Sequence, residues 1–262
     1  MTLQRDAYTK FSMGGVLTDT FEAIGHNIAT FVSIALLAQL PAIVFNSLLA
    51  SVKSSATAFN GSFGYLVYLI GIGAIEGLIA LACFSIAQAA LVFVTIAGLS
   101  GRCETLANSL MTALNSALPL IAITILSTLG IFFGLVLLVV PGVVLAVVWI
   151  AAVPACIIER KSSFESFRRS WELTRGQRLG IFGLLVMAVA GAGILLLIVM
   201  SLSSTLAIAA GGYSGAAILW MMRVVTGCAI NVFSGSLIGV IYYEIFFIKE
   251  GHAPGALASV FE

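Results

Sequence analysis

The sequence predicts an all-α polytopic membrane protein, a single integral membrane domain with six transmembrane helices and three interfacial amphipathic helices. Two observations support this prediction. Charged residues make up 9% of the 262 residues and hydrophobic residues 61%, whereas soluble domains carry about 25% charged residues. Several apolar stretches are also long enough to cross a bilayer, for which a helix needs about 20 residues.

The six spans follow from the apolar stretches between polar breaks, at about 28–50, 65–97, 117–140, 143–158, 179–210 and 215–248. The second, fifth and sixth are the longest, so we expect them to be tilted or to extend beyond the hydrocarbon. Pro141 and Gly142 are expected to break the chain between the third and fourth spans, and Pro154 to bend the fourth near its end.

The distribution of Lys and Arg predicts the orientation, because cytoplasmic loops carry an excess of basic residues. A six-span topology places ten of the twelve Lys and Arg residues on one side. Lys53 lies on the other side, and Arg223 lies inside a span. Six of the ten fall within residues 159–178, which we call the basic segment. Both termini are therefore predicted to be cytoplasmic.

Three amphipathic segments, at about 12–27, 103–116 and 163–176, precede the first, third and fifth spans. Large apolar residues recur in each at spacings that place them on one helix face. This pattern suggests three repeats of an interfacial helix followed by two spans, although identity between the segments is weak. Generic amphipathicity at the membrane surface is the alternative interpretation.

The basic segment contains the clearest helix signals. Ser162 and Glu165 have the spacing of a capping box, and Gly176 is placed to end the helix. We expect ion pairs between residues four positions apart, namely Glu165 with Arg169 and Arg168 with Glu172. Of the basic residues, Arg168, Arg169 and Arg175 are expected to stay in water.

Phe164, Phe167 and Trp171 are predicted to anchor this helix in the headgroup zone. The basic residues of the segment would then set the topology or bind lipid headgroups: Arg160, Lys161, Arg168, Arg169, Arg175 and Arg178. Each basic residue near an anionic leaflet contributes about 1 kcal/mol. A structural anchor and a specific headgroup site are both compatible with the sequence.

Charged and polar residues inside the spans are functional candidates, because placing them in a bilayer is costly. Glu76 in the second span and Arg223 in the sixth lie at similar predicted depths, which predicts an intramembrane pair. The pair could clamp two helices or belong to a lipid or substrate pathway, or Arg223 could reach the outer headgroups. Asn231 is expected to bond to a neighbouring helix or to line a cavity, and Glu244 to reach the interface or a basic loop residue.

Glycines recur at G-x-x-x-G spacing in three spans: Gly73 and Gly77, Gly130 and Gly134, and Gly235 and Gly239. Such pairs allow two helices to approach closely. We expect them to serve packing within the chain first and dimer contacts second.

One part of the chain resembles a known family. Its motifs are Pro141-Gly142, Trp149, Pro154, Glu159-Arg160, Arg168-Arg169-Ser170-Trp171 and Leu173-Thr174-Arg175-Gly176. Their order resembles the membrane domain of bacterial glycerophosphoryl diester phosphodiesterases and related polytopic membrane proteins, most strongly over 135–185. The resemblance implies a membrane module of the bacterial cytoplasmic (inner) membrane, with lipid binding or partner recruitment as its role. It implies no catalytic residue, because that family's activity belongs to a separate soluble barrel with His and carboxylates around a metal, and this chain has only His26 and His252.

These features predict a non-enzymatic integral membrane protein that is lipid-associated or acts as a partner-binding scaffold. The expected partners are membrane lipids, with another membrane protein or a second copy of the chain as further candidates. The alternative is a small transporter, or a transporter subunit, for a lipid-like or small polar substrate. A water-filled cavity around Glu76, Arg223 and Asn231 would favour transport, whereas a lipid-sized groove beside Trp171 would favour lipid binding. The sequence predicts no catalytic residue, no cofactor, no metal site and no nucleic-acid partner.

Overall fold

The computed structural model describes residues 11–56, 63–102 and 104–250. These residues form ten α-helices and no strand: α1 (Met13–His26), α2 (Ile28–Ala56), α3 (Phe63–Leu99), α4 (Leu106–Asn115), α5 (Ala117–Leu137), α6 (Val139–Trp149), α7 (Ala152–Ile158), α8 (Ser163–Thr174), α9 (Arg178–Ala210) and α10 (Gly212–Glu250). Six candidate spans are long and apolar enough to cross a membrane, with α6 and α7 together forming the fourth. The predicted six-span, all-α class is therefore confirmed. His252 and the side chain of Lys53 lie outside the described residues.

The last helix, α10, is the longest of those described and reaches well beyond the length of one span. Its 39 residues give a helix about 59 Å long at 1.5 Å per residue, against a hydrocarbon core about 30 Å thick. Its C-terminal half is buried against other helices, whereas its N-terminal half is largely exposed. The C-terminal half of α10 meets the short helices α1, α7 and α8.

The turn between the third and fourth spans lies earlier than Pro141 and Gly142 predict. Leu138 is extended, with φ −156° and ψ 128°, and it separates α5 from α6. Pro141 and Gly142 lie instead in the first turn of α6, where proline is tolerated because the backbone N–H groups have no intrahelical acceptor. A Cβ at Gly142 would lie 2.5 Å from the backbone nitrogen of Leu135. Glycine here therefore lets α5 and α6 approach closely after the turn.

The helix of the fourth span is interrupted one turn before Pro154. The helix is interrupted after Trp149 and resumes at Ala152. Because proline has no N–H, it cannot donate to the carbonyl four residues earlier, which belongs to Ile150. The interruption lies at that carbonyl, and the bend itself stays a prediction.

The helices pack in an order that recurs three times along the chain. We call α1–α3, α4–α7 and α8–α10 the three units; each consists of a short helix followed by a helical hairpin. Each short helix packs on the second span of the preceding unit: α4 on α3, α8 on α6 and α7, and α1 on α10. The first spans follow the same rule: α5 on α3, α9 on α6, and α2 on α10. These contacts close into a ring of the kind a threefold repeat would form, but the repeat and the interfacial position of the short helices stay predictions.

The short helices that begin the three units, α1, α4 and α8, share one pattern of capping and burial. A hydroxyl residue precedes each of them: Ser12, Thr105 and Ser162. The residues four and eight positions after this hydroxyl are small or β-branched and almost fully buried: Val16 and Thr20, Ser109 and Ala113, and Ser166 and Ser170. The short helices therefore pack on the bundle through compact side chains.

Two of the three G-x-x-x-G pairs lie at helix contacts inside the protein. A Cβ at Gly235 would lie 2.6 Å from the Cβ of Leu91, which places α10 directly against α3. A Cβ at Gly130 would lie 2.5 Å from the ring of Trp149. Gly73 has no atom within 4 Å of such a Cβ. The expected internal packing is therefore confirmed for the pairs that begin at Gly130 and Gly235.

Candidate functional site

The basic segment folds into α8 and the turns on either side of it, with the start and end that the sequence predicts. The Oε2 atom of Glu165 accepts hydrogen bonds from the backbone N–H of Ser162 at 3.1 Å and from its hydroxyl at 2.8 Å. This contact confirms the capping box. Gly176, just after the helix, has a φ of +98°, which glycine adopts without steric cost. The predicted stop at Gly176 is also confirmed.

Ser170 ties α8 to the interruption between α6 and α7. Its fully buried hydroxyl donates to the carbonyl of Val148 at 2.6 Å and accepts from the N–H of Ala151 at 3.1 Å. These backbone groups flank the interruption, where helical pairing is incomplete. The sequence singles out Ser170 only as part of the family motif, and its contacts give that residue a structural role.

Glu159 is the centre of a polar cluster at the end of the fourth span. Its Oε1 atom accepts from Arg169 Nε at 2.8 Å and from the hydroxyl of Tyr242 at 2.9 Å, and its Oε2 atom lies 2.5 Å from Lys161 Nζ. Arg169 also pairs with Glu250. Burial disfavours the charged form of Glu159, but the hydrogen bonds from Arg169, Lys161 and Tyr242 outweigh it and hold the pKa of this carboxyl below its usual value. The cluster joins α7, α8 and α10.

The predicted pair between Glu165 and Arg169 is wrong, and so is the expectation that Arg169 stays in water. The Arg169 side chain is only 19% exposed and turns towards Glu159, which is 14% exposed. A buried carboxylate has lost most of its water, so it gains more from a guanidinium than the exposed Glu165 does. The other predicted pair is confirmed, with Arg168 Nε 3.2 Å from Glu172 Oε1.

The three aromatic residues of α8 lie in two different environments. Phe164 is 78% exposed and Trp171 is 48% exposed, so both can contact a membrane. Phe167 is half-buried, with its ring centroid 4.9 Å from that of Trp149. Phe167 therefore fastens α8 to α6, which corrects its prediction as an interfacial anchor.

Three cations meet where α8, α9 and α10 come together. The guanidinium carbon of Arg178 lies 4.3 Å from the ring centroid of Trp171, the geometry of a cation–π contact. The Nζ atom of Lys249 donates to the backbone carbonyl of Glu172, which brings the last turn of α10 to the end of α8. Arg175 is exposed in the turn between them. We call Arg175, Arg178 and Lys249 the cation cluster.

The remaining basic residues of the segment differ in whether they form ion pairs within the protein. Lys161 and Arg169 are bound to Glu159. Arg160 is exposed in the turn before α8, with a φ of +51°. Arg168 is exposed and paired on its own helix.

The predicted intramembrane residues lie on α3 and α10. Glu76 is half-buried and Arg223 is exposed, and their pairing stays a prediction. Asn231 is buried, and its Oδ1 atom accepts a hydrogen bond from Gln88 Nε2 at 2.6 Å. The same Nε2 atom lies 2.8 Å from the hydroxyl of Ser234. The expectation that Asn231 bonds to a neighbouring helix is therefore confirmed.

Glu244 lies inside the bundle rather than at the interface. It is 2% exposed, and a Cβ built on Gly15, at the start of α1, would lie 3.5 Å from its Oε1 atom. Its depth follows from the packing of α1 on α10, which the sequence does not predict. The expectation that Glu244 reaches the interface is therefore wrong, whereas the alternative, that it reaches a basic loop residue, stays a prediction.

Sequence reasoning overlooks two glutamines that join helices within the spans. Gln88 on α3 bonds to α10 as described above. Gln39 on α2 donates through Nε2 to the carbonyl of Val224 on α10 at 2.9 Å. A lone amide in an apolar stretch is itself the signal for such an interhelical bond.

Two apolar grooves run along α2. The larger, of about 450 Å³, is lined by Leu40, Pro41, Val44, Phe45, Leu48 and Ile79. The smaller, of about 130 Å³, lies between α2, α3 and α4 and shares Pro41 with the first. Neither is lined by Trp171, Arg223 or Asn231. No group of His, Cys, Asp and Glu within the described parts of the chain could hold a metal ion.

Comparisons with models of protein families, with curated proteins and with solved structures find no match to this chain. The resemblance to the phosphodiesterase membrane domain therefore rests on the motifs alone. The geometry shows a multi-pass membrane protein with a basic surface beside α8, formed by Arg160, Arg168, Arg175, Arg178 and Lys249.

Proposed function

We propose that this chain is a non-enzymatic, lipid-associated module of the cytoplasmic membrane, and that its basic surface binds the headgroups of an anionic leaflet. The observation that carries the proposal is the composition of the free face of α8. Phe164 and Trp171 are exposed there together with Arg168 and Arg175. Exposed aromatic and basic side chains on one helix suit the boundary between acyl chains and headgroups.

The contacts of α8 narrow the set of basic residues that can serve this role. Lys161 and Arg169 form ion pairs with Glu159, so their charges are not available to lipid headgroups. Arg160, Arg168, Arg175 and Arg178 remain from the predicted headgroup set. At about 1 kcal/mol for each basic residue near an anionic leaflet, even part of this set gives a measurable preference.

Orientation and family are part of the same proposal. The end of the bundle that carries α8 faces the cytoplasm, and both termini lie on that side. The motifs from Pro141 to Gly176 support membership of the phosphodiesterase-type membrane-domain family, in which this chain would supply the membrane module alone. A partner protein or a second copy of the chain would then be recruited on the same basic surface.

Thermal unfolding in detergent tests the proposal directly. The purified, delipidated protein is mixed with phosphatidylglycerol or with phosphatidylcholine of the same acyl chains, because a ligand that binds only the folded state raises its stability. We expect the larger rise in Tm with phosphatidylglycerol, and we expect the difference to shrink at high salt, where the Debye length falls to about 3 Å at 1 M. Equal shifts with the two lipids would contradict the proposal.

A transporter is the second candidate, and the buried amide contact between Gln88 and Asn231 favours it. A substrate pathway would bring water to these polar side chains, whereas a lipid-associated module keeps them dry. Ser234→Cys, in a background without the four native cysteines, reports on this difference. Reaction with a membrane-impermeant maleimide would support the transporter, and protection of this cysteine is the result expected for the lipid-associated module.

A further inference from the structure

We infer that Arg175, Arg178 and Lys249 form a binding site for the phosphate of an anionic membrane lipid, with Trp171 as its apolar wall. The inference rests on the proposed function and narrows it from a basic surface to one site. The sequence does not assign Lys249 to any site, because it lies more than 70 positions along the chain from Arg175 and Arg178.

Three separate elements bring these side chains together. Gly176, with its φ of +98°, turns the chain between α8 and α9, so that Arg175 and Arg178 lie on either side of one tight turn. The last turn of α10 approaches from the other side, where Lys249 Nζ donates to the carbonyl of Glu172. The position of the cluster is therefore fixed by tertiary packing.

The carboxylates around the cluster are already used by other basic residues. Glu159 binds Arg169 and Lys161, and Glu250 also binds Arg169. Glu172 binds Arg168 through its carboxylate. Among the residues that the structure describes, no carboxylate forms an ion pair with a member of the cation cluster. Charge complementarity therefore favours an anion at this place.

Arg178 has the hydrogen-bonding capacity that such an anion requires. Its Nε and Nη2 atoms have no acceptor among the described residues and are covered by the protein, so a shift of this half-buried side chain would bring them to an anion. Buried polar groups are nearly always hydrogen-bonded, and the planar guanidinium fork matches the oxygens of a phosphate. The cation–π contact with Trp171 holds the guanidinium beside the indole ring.

The surroundings favour a phosphate that belongs to a lipid. Trp171 is 48% exposed beside the guanidinium, and Leu179, the next residue after Arg178, is 86% exposed. A free phosphate ion would leave these apolar surfaces uncovered. A phospholipid would cover them with its glycerol and acyl portions while its phosphate met the cations.

The test measures binding of soluble short-chain phosphatidylglycerol to the full-length protein in detergent at low salt. Arg178→Gln and Lys249→Gln each remove one charge from the cluster. The control is Lys161→Gln, which removes the same charge from the basic segment at a side chain that Glu159 already binds. We expect each cluster variant to weaken binding about fivefold and the double variant roughly 25-fold. The control should change binding by less than about twofold, because the Lys161 ammonium is paired with Glu159 within the protein.

Further arms separate the possible outcomes. Thermal unfolding without lipid checks that each variant is folded, and Lys249→Arg should retain the affinity because it keeps the charge. Cluster variants that bind as tightly as the wild type would overturn the site, while a wild-type preference for phosphatidylglycerol over phosphatidylcholine would leave the proposed function standing. Inorganic phosphate that binds as tightly as the lipid would overturn the assignment to a lipid. A wild type with no preference between the two lipids would overturn both proposals.

Discussion

Replacement of Ser170 by alanine tests how the basic segment is fastened to the bundle. The hydroxyl donates to the carbonyl of Val148 and accepts from the N–H of Ala151, and it is fully buried. Alanine leaves both backbone groups without this partner. A buried backbone group left unsatisfied costs about 1–3 kcal/mol, so we expect the free energy of unfolding to fall by about 2–6 kcal/mol.

Ser166 provides a matched control on the same helix. It is also a fully buried serine, but its hydroxyl donates to the carbonyl of Ser162, which already accepts the backbone N–H of Ser166. Ser166→Ala should therefore cost less than about 1 kcal/mol. Thermal unfolding in detergent measures the difference, at roughly 2–4 °C for each kcal/mol. Equal losses in the two variants would refute the argument that Ser170 completes the interruption between α6 and α7.

Three other predictions concern the polar cluster, the glycine contacts and the intramembrane charges. Glu159→Gln should lower the free energy of unfolding by about 1.5–3 kcal/mol at neutral pH. The pKa of Glu159 is held below its usual 4.5, so its contribution to stability is present above pH 4.5 and is lost as the pH falls through the lowered pKa. A titration of Tm against pH should therefore show this loss in the wild type and not in the variant. Gly235→Ala should cost about 1–3 kcal/mol because its Cβ would meet α3, whereas Gly73→Ala, in open space, should change stability by less than about 0.5 kcal/mol; similar losses would contradict the assigned packing. If Glu76 and Arg223 pair, the double variant with Gln at both positions should be more stable than the worse single variant, and additive losses would exclude the pair.

Features that depend on neighbouring residues are predictable from this sequence. The spans follow from long apolar stretches, and the capping box of Ser162 and Glu165 needs only residues three positions apart. The pair of Arg168 and Glu172 and the stop at Gly176 are local in the same sense. The structure confirms all of them because no distant contact competes with them.

Features that depend on packing between helices are not predictable in this way. Arg169 pairs with the buried Glu159 instead of its neighbour Glu165, because the fold places Glu159 within hydrogen-bond distance. Phe167 packs inward because it contacts the ring of Trp149 on α6. Glu244 is buried because α1 covers α10. In each case the partner lies outside the helix that carries the residue.

The candidate site shows both limits. Its basic residues and Trp171 are evident in the sequence as a concentration of charge and an amphipathic helix. The sequence does not show which of these basic residues bind carboxylates and which form the cation cluster, because that depends on Glu159, Glu250 and Lys249. The fold therefore selects the headgroup site from a larger basic surface.

Native mass spectrometry of the protein from a membrane of defined lipid mixture tests the central claim most directly. The protein is extracted from vesicles with equal amounts of phosphatidylglycerol and phosphatidylcholine, and the retained lipids are counted for the wild type and for the double variant of Arg178 and Lys249. We expect the wild type to retain phosphatidylglycerol in excess over phosphatidylcholine and the double variant to lose that excess. Retained lipids in the same proportion as the vesicles, with no difference between the two proteins, would contradict the account.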